Sequence, residues 1–402
     1  MAISGNRQKT AALFIFVFFC FFLSGLFPAR LSAQESILSS YERNFIRVSL
    51  ASKAGILQDA AKDDKAGEFM GDLYEFALQF VLANGEYLRE DPDMIALAGT
   101  AARGAGISGN SASVESLWEI FQIFHDSYSR VEILGALGIL GKGDLRIIGN
   151  LNQFLAAQND SFRAGGNPDY PVLTACIAAL GVLGDNSSFP FLFSAMTAGY
   201  PQAVTQETLR ALESIQGDYK DYLLGVIRNN SFPEKAAAFR IGAYNEKLKP
   251  AERGELAQAA LEVSLTGSSD PAESALRYDA VTVLTRLKWS PASPLAVRNF
   301  YRVQTDYTNN AVPKERFLEA IACLGAMGTS EAAQALALQL GYFNSQTERT
   351  GDYDEAVILA LVNTLGDLGD KSAFDYLLYI SYLNYPDKIQ AAAREALNRL
   401  KW

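Results

Sequence analysis

The chain has 402 residues, of which 49% are hydrophobic and 20% are charged, and its net charge is −10. This acidic balance, with no cluster of lysine and arginine to offset it, disfavours binding to nucleic acids and to anionic membrane surfaces, because their phosphates repel the chain. Only 13 prolines are present, which favours helices, since a proline inside a helix loses a hydrogen bond and clashes with the preceding turn.

The first 33 residues have the pattern of a secretory signal peptide. Arg7 and Lys9 precede an apolar run over residues 11–27, and Ala33 provides the small residue at which such peptides are cut. The run approaches the roughly 20 residues that span a bilayer, so an uncleaved membrane anchor is the alternative. Cleavage removes three basic residues and no acidic one, which leaves 32 basic against 45 acidic residues and a net charge of about −13. We therefore predict export to the periplasm or cell envelope, with membrane contact only if this segment is retained.

A short motif recurs along the chain at intervals of about 32 or about 40 residues. It reads ALGILGKGD from Ala136, ALGVLGD from Ala179, CLGAMG from Cys323 and TLGDLGD from Thr364. We refer to the first leucine of each copy as its anchor. The anchors are Leu97, Leu137, Leu180, Leu212, Leu284, Leu324, Leu365 and Leu397, and a degenerate copy is expected near Tyr244.

The apolar residues within each copy have helical spacing. Most copies are apolar four residues before and three residues after the anchor, as Cys176 and Leu183 are around Leu180. These positions lie on one face of an α-helix. A glycine near the end of the helix, often followed by aspartate as at Gly184–Asp185, can end one helix and cap the next. Each unit is therefore predicted to be a helix, a tight turn and a second helix, and no segment has the alternation of a strand.

The motif ALGxLGD is matched well at residues 179–185 and nearly at residues 364–370, and it resembles that of HEAT-repeat proteins. The similarity is to the short bacterial form, the PBS-lyase HEAT-like repeats, and it extends from about residue 93 to residue 402. It implies an all-α fold, a right-handed α-solenoid of about eight or nine helix pairs that forms a single elongated domain. Residues 34–92 match poorly and are interpreted as a helical N-terminal cap. In function, the resemblance implies scaffolding of protein or ligand contacts, although a few members are bilin lyases or lyase subunits.

Residues suited to catalysis are few. The single histidine, His125, is followed by Asp126, but adjacent residues of a helix point in different directions, and a catalytic triad also needs a placed nucleophile. Asp352, Asp354 and Glu355 are the nearest carboxylate group, and capping of a helix N-terminus explains them equally. Histidine and cysteine are too few for a structural zinc site, and no phosphate-binding loop is present. We predict that the chain is not an enzyme and has no catalytic residue, metal or cofactor.

Cys176 and Cys323 are the cysteines that remain after the signal segment. Export permits disulfides, but the units of a solenoid contact only their neighbours, and these cysteines belong to distant copies. We predict that both are free and buried as small hydrophobic residues.

The longer units have their extra length in the connection that leads to the next anchor helix. These connections are residues 159–171, 302–313 and 342–354, which we expect at the same edge of the array. Insertions on one face of a repeat array often form the binding face, although long loops are also tolerated at little cost. The candidate partner-binding residues are the aromatic and arginine side chains in or beside these connections, types that interfaces favour: Phe162, Arg163, Tyr170, Tyr301, Arg302, Tyr307, Tyr342, Phe343, Arg349 and Tyr353.

The sequence thus predicts a non-catalytic scaffold that binds a protein or a cell-envelope component outside the cytoplasm. One alternative is an enzyme or enzyme subunit similar to the bilin-lyase HEAT-like proteins, which predicts a deep pocket with converging polar groups. The other is a membrane-anchored assembly factor, which requires an uncleaved N-terminus. If the long connections do not bind, the concave helical face is the expected binding surface.

Overall fold

The computed structural model describes residues 27–63, 67, 69–266 and 271–401, with side chains from residue 37 onward. Most of the predicted signal segment lies outside the described residues, and the predicted cleavage site after Ala33 falls within the first helix. Over the described residues the chain forms twenty α-helices, a few single 3-10 turns and no strand, which confirms the all-α fold class. None of the described helices is both long enough and apolar enough to cross a bilayer.

The chain folds as two compact units. Unit 1 extends to Gly217 and unit 2 begins at Asp218, inside the predicted array. The helices of unit 1 are α1 (Phe27–Arg47), α2 (Leu50–Ala60), α3 (Met70–Leu88), α4 (Pro92–Ser108), α5 (Val114–Ile123), α6 (Ser127–Leu140), α7 (Leu145–Arg163), α8 (Tyr170–Leu183), α9 (Phe189–Thr197) and α10 (Gln202–Ser214). Those of unit 2 are α11 (Lys220–Asn229), α12 (Phe232–Ala243), α13 (Pro250–Val263), α14 (Pro271–Leu287), α15 (Ser293–Thr308), α16 (Lys314–Met327), α17 (Ser330–Thr350), α18 (Glu355–Leu368), α19 (Phe374–Tyr379) and α20 (Asp387–Arg399).

Within each unit the helices alternate between two layers. The even-numbered helices form the anchor layer, in which each helix packs on the next one of the same layer. The odd-numbered helices form the partner layer, and each of them packs on the anchor-layer helix that follows it in the chain. Each unit is therefore a stack of helix pairs, which is the arrangement that the repeated motif predicts.

The anchor leucines hold the anchor layer together. Leu137, Leu180, Leu324 and Leu365 are fully buried, whereas Leu397, in the last helix, is half-buried. The glycine that follows an anchor allows close approach of the next helix. A Cβ atom on Gly138 would lie 2.9 Å from the Cα of Ala179, and one on Gly181 would lie 2.9 Å from the Cα of Ala211. The close helix contact predicted at these glycines is confirmed.

One of the predicted anchors, Leu97, is wrong. A Cβ on Gly106 would lie 3.0 Å from the Cα of Ala136, the same relation that Gly138 has to Ala179, so the anchor position of α4 belongs to Ala105. Leu97 lies about two turns earlier, because α4 is rich in alanine and glycine and the motif matches it in more than one register. The degenerate copy that was predicted near Tyr244 lies in α12, and Tyr244, 46% exposed, stands at the C-cap of that helix.

Helices α8 to α10 of unit 1 recur as α18 to α20 of unit 2 at a constant offset in residue number. Gly184 and Gly369 end α8 and α18 in the left-handed conformation, with φ of 65° and 67°. The aspartate after each glycine caps a 3-10 turn, as predicted. In both segments the residues after the last helix return to the glycine that ends the first helix. The Gln216 amide donates to the Gly184 carbonyl at 3.0 Å, and the Lys401 amide donates to the Gly369 carbonyl at 2.8 Å.

Candidate binding surfaces

The three connections that were predicted to be inserted loops each begin with the last turns of a long partner helix, which make up most of residues 302–313 and 342–354 and fewer than half of residues 159–171. Helices α7, α15 and α17 have 19, 16 and 21 residues, whereas α9 and α19 have 9 and 6. The loops that remain are residues 164–169, 309–313 and 351–354. The prediction of long loops was wrong because a longer helix and a longer loop change the repeat spacing in the same way.

Two of these helix ends meet in unit 2 on one aromatic cluster. The ring of Tyr307 stacks on that of Phe317 with centroids 5.0 Å apart, and Phe343 contacts Phe317 edge-on at 6.4 Å. Phe317 is fully buried in α16, and Tyr307 and Phe343 are half-buried against it. Burial raises the pKa of Tyr307, and the nearby carboxylate of Asp354 raises it further. Tyr307 and Phe343 therefore fasten α15 and α17 to α16 through packing.

Exposed tyrosines lie on three consecutive partner helices of unit 2. Tyr301 of α15 and Tyr342 of α17 are 40% and 49% exposed, and Tyr379 of α19 is 38% exposed. Tyr379 donates to Glu348 at 3.0 Å, which raises the pKa of that tyrosine. Tyr382, 75% exposed, lies with its ring centroid 6.5 Å from that of Tyr379. We refer to these four residues as the tyrosine surface.

The other candidate residues make contacts within their own unit. Phe162 stacks on Tyr200 with centroids 4.3 Å apart, and Arg163 donates to the Ser194 carbonyl at 2.9 Å. Arg302 pairs with the buried Glu273 at 3.4 Å. Arg349 donates to the Ser345 carbonyl of its own helix at 3.1 Å, and Tyr353, 40% exposed, contacts the ring of Tyr385 edge-on at 5.2 Å.

A broad groove crosses the anchor layer of unit 1, and of the candidate residues only Tyr170 contributes to it. The groove has a volume of about 750 Å³ and runs over α6, α8 and α10. Its lining is largely apolar: Val131, Tyr170, Pro171, Thr174, Ala175, Ala178, Pro201, Ala203, Val204 and Glu207. The one carboxylate of this lining, on Glu207, accepts from Arg210 at 2.8 Å and is therefore already paired.

Three exposed aliphatic side chains lie near the C-terminal ends of three consecutive helices of the anchor layer. Ile107, Ile139 and Val182 are 79%, 56% and 60% exposed. They lie on α4, α6 and α8, each two residues after the anchor position. Unit 2 carries different residues at this position: Arg286, Ala326, Asp367 and Arg399. We refer to the groove together with Ile107, Ile139 and Val182 as the aliphatic face of unit 1.

His125 lies in a smaller cavity of about 310 Å³, lined by Arg89, Glu90, Ile95 and Asp126. Asp126 is the N-cap of α6, and its two carboxylate oxygens accept from the amide and the hydroxyl of Ser129. The aspartate therefore caps a helix, while His125 itself is exposed. The candidate carboxylate Asp354 has the same role at α18, where it accepts from the Ala356 amide at 3.0 Å. Among the described residues, no three histidine, cysteine, aspartate or glutamate side chains converge as metal ligands would.

Comparison with known proteins leaves the family open. No protein-family model matches the chain, and no curated protein matches it. Among solved structures, the chain is similar to a crystal structure of an engineered protein, with 13% identity and a TM-score of 0.39 over 90% of this chain and 98% of that one. A likeness at this score carries no argument about fold or function. The resemblance to HEAT repeats stays a prediction from the motif.

Proposed function

We propose that the chain is a non-catalytic scaffold that binds a protein partner outside the cytoplasm, and that the aliphatic face of unit 1 is its binding surface. The observation that supports this most is the exposure of Ile107, Ile139 and Val182, which stand at one repeat position on neighbouring helices beside an apolar groove. Soluble proteins rarely leave a continuous apolar patch uncovered unless a partner covers it.

The chemistry of the groove favours binding over catalysis. A catalytic pocket brings several polar groups to one point, whereas this groove is wide and lined mostly by alanine, valine and proline side chains. An apolar segment of a partner protein fits such a surface, because its burial removes hydrocarbon from water on both sides. The alternative, an enzyme or enzyme subunit similar to the bilin-lyase HEAT-like proteins, would use the cavity at His125.

The tyrosine surface of unit 2 is a second candidate for partner binding. Tyrosine is enriched at protein interfaces because its ring buries a large area while its hydroxyl stays hydrogen-bonded. Tyr301 and Tyr342 are exposed on α15 and α17, and Tyr382 is exposed in the 3-10 turn that follows α19. Tyr301 and Tyr342 of this surface belong to the binding residues that were predicted from the sequence, whereas the predicted residues Tyr307 and Phe343 do not belong to it.

The architecture that we propose is a right-handed α-solenoid with eight or nine helix pairs. The nine anchor-layer helices from α4 to α20, and the stacking of each on the next within its unit, support this count. We also propose that the chain is exported and that residues 1–33 are removed. Mass spectrometry of the mature N-terminus tests this, since an intact N-terminus would favour the membrane-anchored assembly factor.

Affinity purification from envelope extract, followed by measurement of binding with the purified pair, tests the binding surface. A double variant, Ile139→Asp with Val182→Asp, should weaken the partner's affinity at least about tenfold, as expected when interface anchors are lost. Ala326→Asp, at the equivalent position of unit 2, is the matched control and should bind like the native chain. A partner that binds the double variant at native affinity and loses affinity with Tyr342→Ala would place the site on the tyrosine surface.

A further inference from the structure

A buried or half-buried cation near the start of the helix recurs in the anchor layer. Lys53 of α2, Arg130 of α6 and Lys235 of α12 each reach back to the end of the preceding partner helix. Lys235 Nζ donates at 2.9 Å to the carbonyls of both Ile227 and Arg228. The last carbonyls of a helix have no partner within it and carry the negative end of its dipole. In these three helices the cation therefore has a structural role.

Arg277 of α14 occupies the corresponding place but lacks this partner. Its side chain is 2% exposed, and its Nε and Nη1 atoms, which carry three of its five donor hydrogens, have no acceptor. Its Nη2 contacts only the Tyr278 hydroxyl, at 3.4 Å. The carbonyls of Ala260 and Leu261, near the end of α13, already accept from the Ser264 hydroxyl at 2.7 and 3.1 Å. Buried donors without an acceptor are rare in folded proteins, and a bound ion or water is the usual explanation.

A second arginine, Arg302, reaches the turn of α14 that precedes Arg277. Glu273 stands one turn before Arg277 and is fully buried; it accepts from Arg302 at 3.4 Å and from the Thr266 hydroxyl at 3.3 Å. The Arg316 guanidinium lies over the Tyr278 ring at 4.2 Å, but it pairs with Glu319 at 2.7 Å. Glu273 is therefore the buried carboxylate that pairs with Arg302, and among the described residues no carboxylate pairs with Arg277.

We propose that Arg277 and Arg302 bind one compact oxyanion, a phosphate or a carboxylate. Guanidinium N–H groups form short, charge-assisted hydrogen bonds with both. The oxyanion supplies the acceptors that Nε and Nη1 of Arg277 lack, and its negative charge compensates the charge of the Arg277 guanidinium. Access is from the side of Arg302, whose side chain is 27% exposed. This site belongs to unit 2 and does not depend on the partner-binding surface proposed for unit 1.

Isothermal titration of the purified exported chain with inorganic phosphate, and separately with acetate, tests the proposal at constant ionic strength against a chloride background. We expect saturable binding at one site, at least tenfold weaker in Arg302→Met and absent in Arg277→Met. Arg130→Met is the matched control, because that arginine contacts a helix carbonyl in unit 1, and it should leave the anion affinity unchanged. Preference for phosphate or for acetate then identifies which oxyanion the site is built for.

The proposal is overturned if neither anion binds saturably to the native chain, since water alone then serves Arg277. It is overturned as well if the Arg302→Met variant binds with native affinity. Arg302→Lys keeps the result decisive if either methionine variant fails to fold. A lysine retains a positive charge for the buried Glu273 but lacks the planar guanidinium, so we expect it to bind the anion more weakly than the native chain, and native affinity would overturn the proposal.

Discussion

The hydroxyl of Tyr200 donates a hydrogen bond to Asn159 Oδ1 at 3.1 Å inside unit 1, and Tyr385 makes the same bond to Asn344 at 3.2 Å inside unit 2. Each asparagine also donates from its amide to a carbonyl of the next partner helix, at 3.3 and 3.0 Å. One buried side chain thus joins two partner helices to the segment that leads into the next anchor helix. Neither asparagine belongs to the repeat motif, so the motif alone did not indicate this connection.

We expect Tyr200→Phe to lower the free energy of unfolding by about 1–3 kcal/mol, because it leaves a buried asparagine oxygen without its donor. Tyr385→Phe should lower it by a similar amount, because it also leaves an asparagine oxygen without its donor and the nearby Thr347 hydroxyl already donates to the Asp352 carbonyl at 3.1 Å. Urea unfolding measures both. Tyr87→Phe, at an 89% exposed position, is the control and should change stability by less than about 0.5 kcal/mol. Equal stability of Tyr200→Phe and this control would show that the buried bond contributes nothing.

The same tyrosine predicts how stability changes in alkali. Burial raises the pKa of Tyr200 to about 12, above its ordinary value of 10.0. The folded state therefore holds the phenolic proton more tightly than the unfolded state does. The stability that this provides is complete below about pH 10 and is lost as the pH rises toward about 12. The free energy of unfolding, measured from pH 8 to pH 11.5, should fall more steeply in the native chain than in Tyr200→Phe. Parallel curves for the two proteins would contradict the raised pKa of Tyr200.

Both cysteines should be unreactive in the folded protein. Cys176 and Cys323 are free and fully buried, as the sequence predicted, and burial raises the pKa of the Cys176 thiol to about 12. The thiolate is the reactive form, so almost none is available near neutral pH. A thiol reagent at pH 8 should label neither cysteine until denaturant is added and should then label both. Rapid labelling in the native state, or a disulfide found by non-reducing peptide mapping, would contradict this.

In unit 2, alanine substitution should lower stability more at aromatic residues that pack on the core than at aromatic residues that are exposed to solvent. Tyr307→Ala and Phe343→Ala should each lower stability by about 2 kcal/mol, less than the 3–5 kcal/mol typical of a fully buried aromatic, because both rings are half-buried on Phe317. Tyr342→Ala should cost no more than about 0.5 kcal/mol, and Leu324→Ala should cost roughly 2–5 kcal/mol. Thermal and urea unfolding check the order. Near-equal values for Tyr307→Ala and Tyr342→Ala would show that the cluster does not support the fold.

Replacing each of two glycines of α6 with alanine should change the stability of the protein in opposite directions. Gly135 of α6 is exposed and has open space where a Cβ would lie, so Gly135→Ala should stabilise the protein by about 0.5–1 kcal/mol through helix propensity. Gly138→Ala places a methyl group 2.9 Å from the Cα of Ala179 and should destabilise the protein despite the same propensity gain. Melting temperatures of the two variants should therefore move apart. A stabilised Gly138→Ala would mean that α6 and α8 can separate without cost.

The buried face of the anchor helices could be predicted from the sequence because its pattern is local and periodic. Cys176 and Leu180 stand a helical turn apart, and both are fully buried. The position of Leu97 could not be fixed in this way, because a helix of alanine and glycine offers several equally good registers. Only the contact between Gly106 and Ala136, which joins two helices, identifies the right one.

The candidate binding residues were harder to predict, because an aromatic residue that packs inward and one that faces solvent have the same composition and the same spacing. Tyr307 and Tyr342 look alike in sequence, yet only Tyr307 lies on a buried neighbour. The aliphatic face could have been predicted from the sequence. Ile139 and Val182 each follow an anchor by two residues and so lie off the buried face, and aliphatic residues at such a position indicate an exposed apolar surface.

Val182 and Asp367 occupy the same place in the recurring segment, on α8 and α18, and the hydrogen bonds that close the segment are the same around both. In unit 2 this position carries an aspartate that pairs with Arg399 at 2.5 Å. The two copies of the segment thus have the same closing hydrogen bonds but different side chains at this exposed position. The aspartate of unit 2 has Arg399 as its partner where unit 1 has Ser214, so surface chemistry in this protein diverges in neighbouring pairs of side chains while the hydrogen bonds beneath them stay the same.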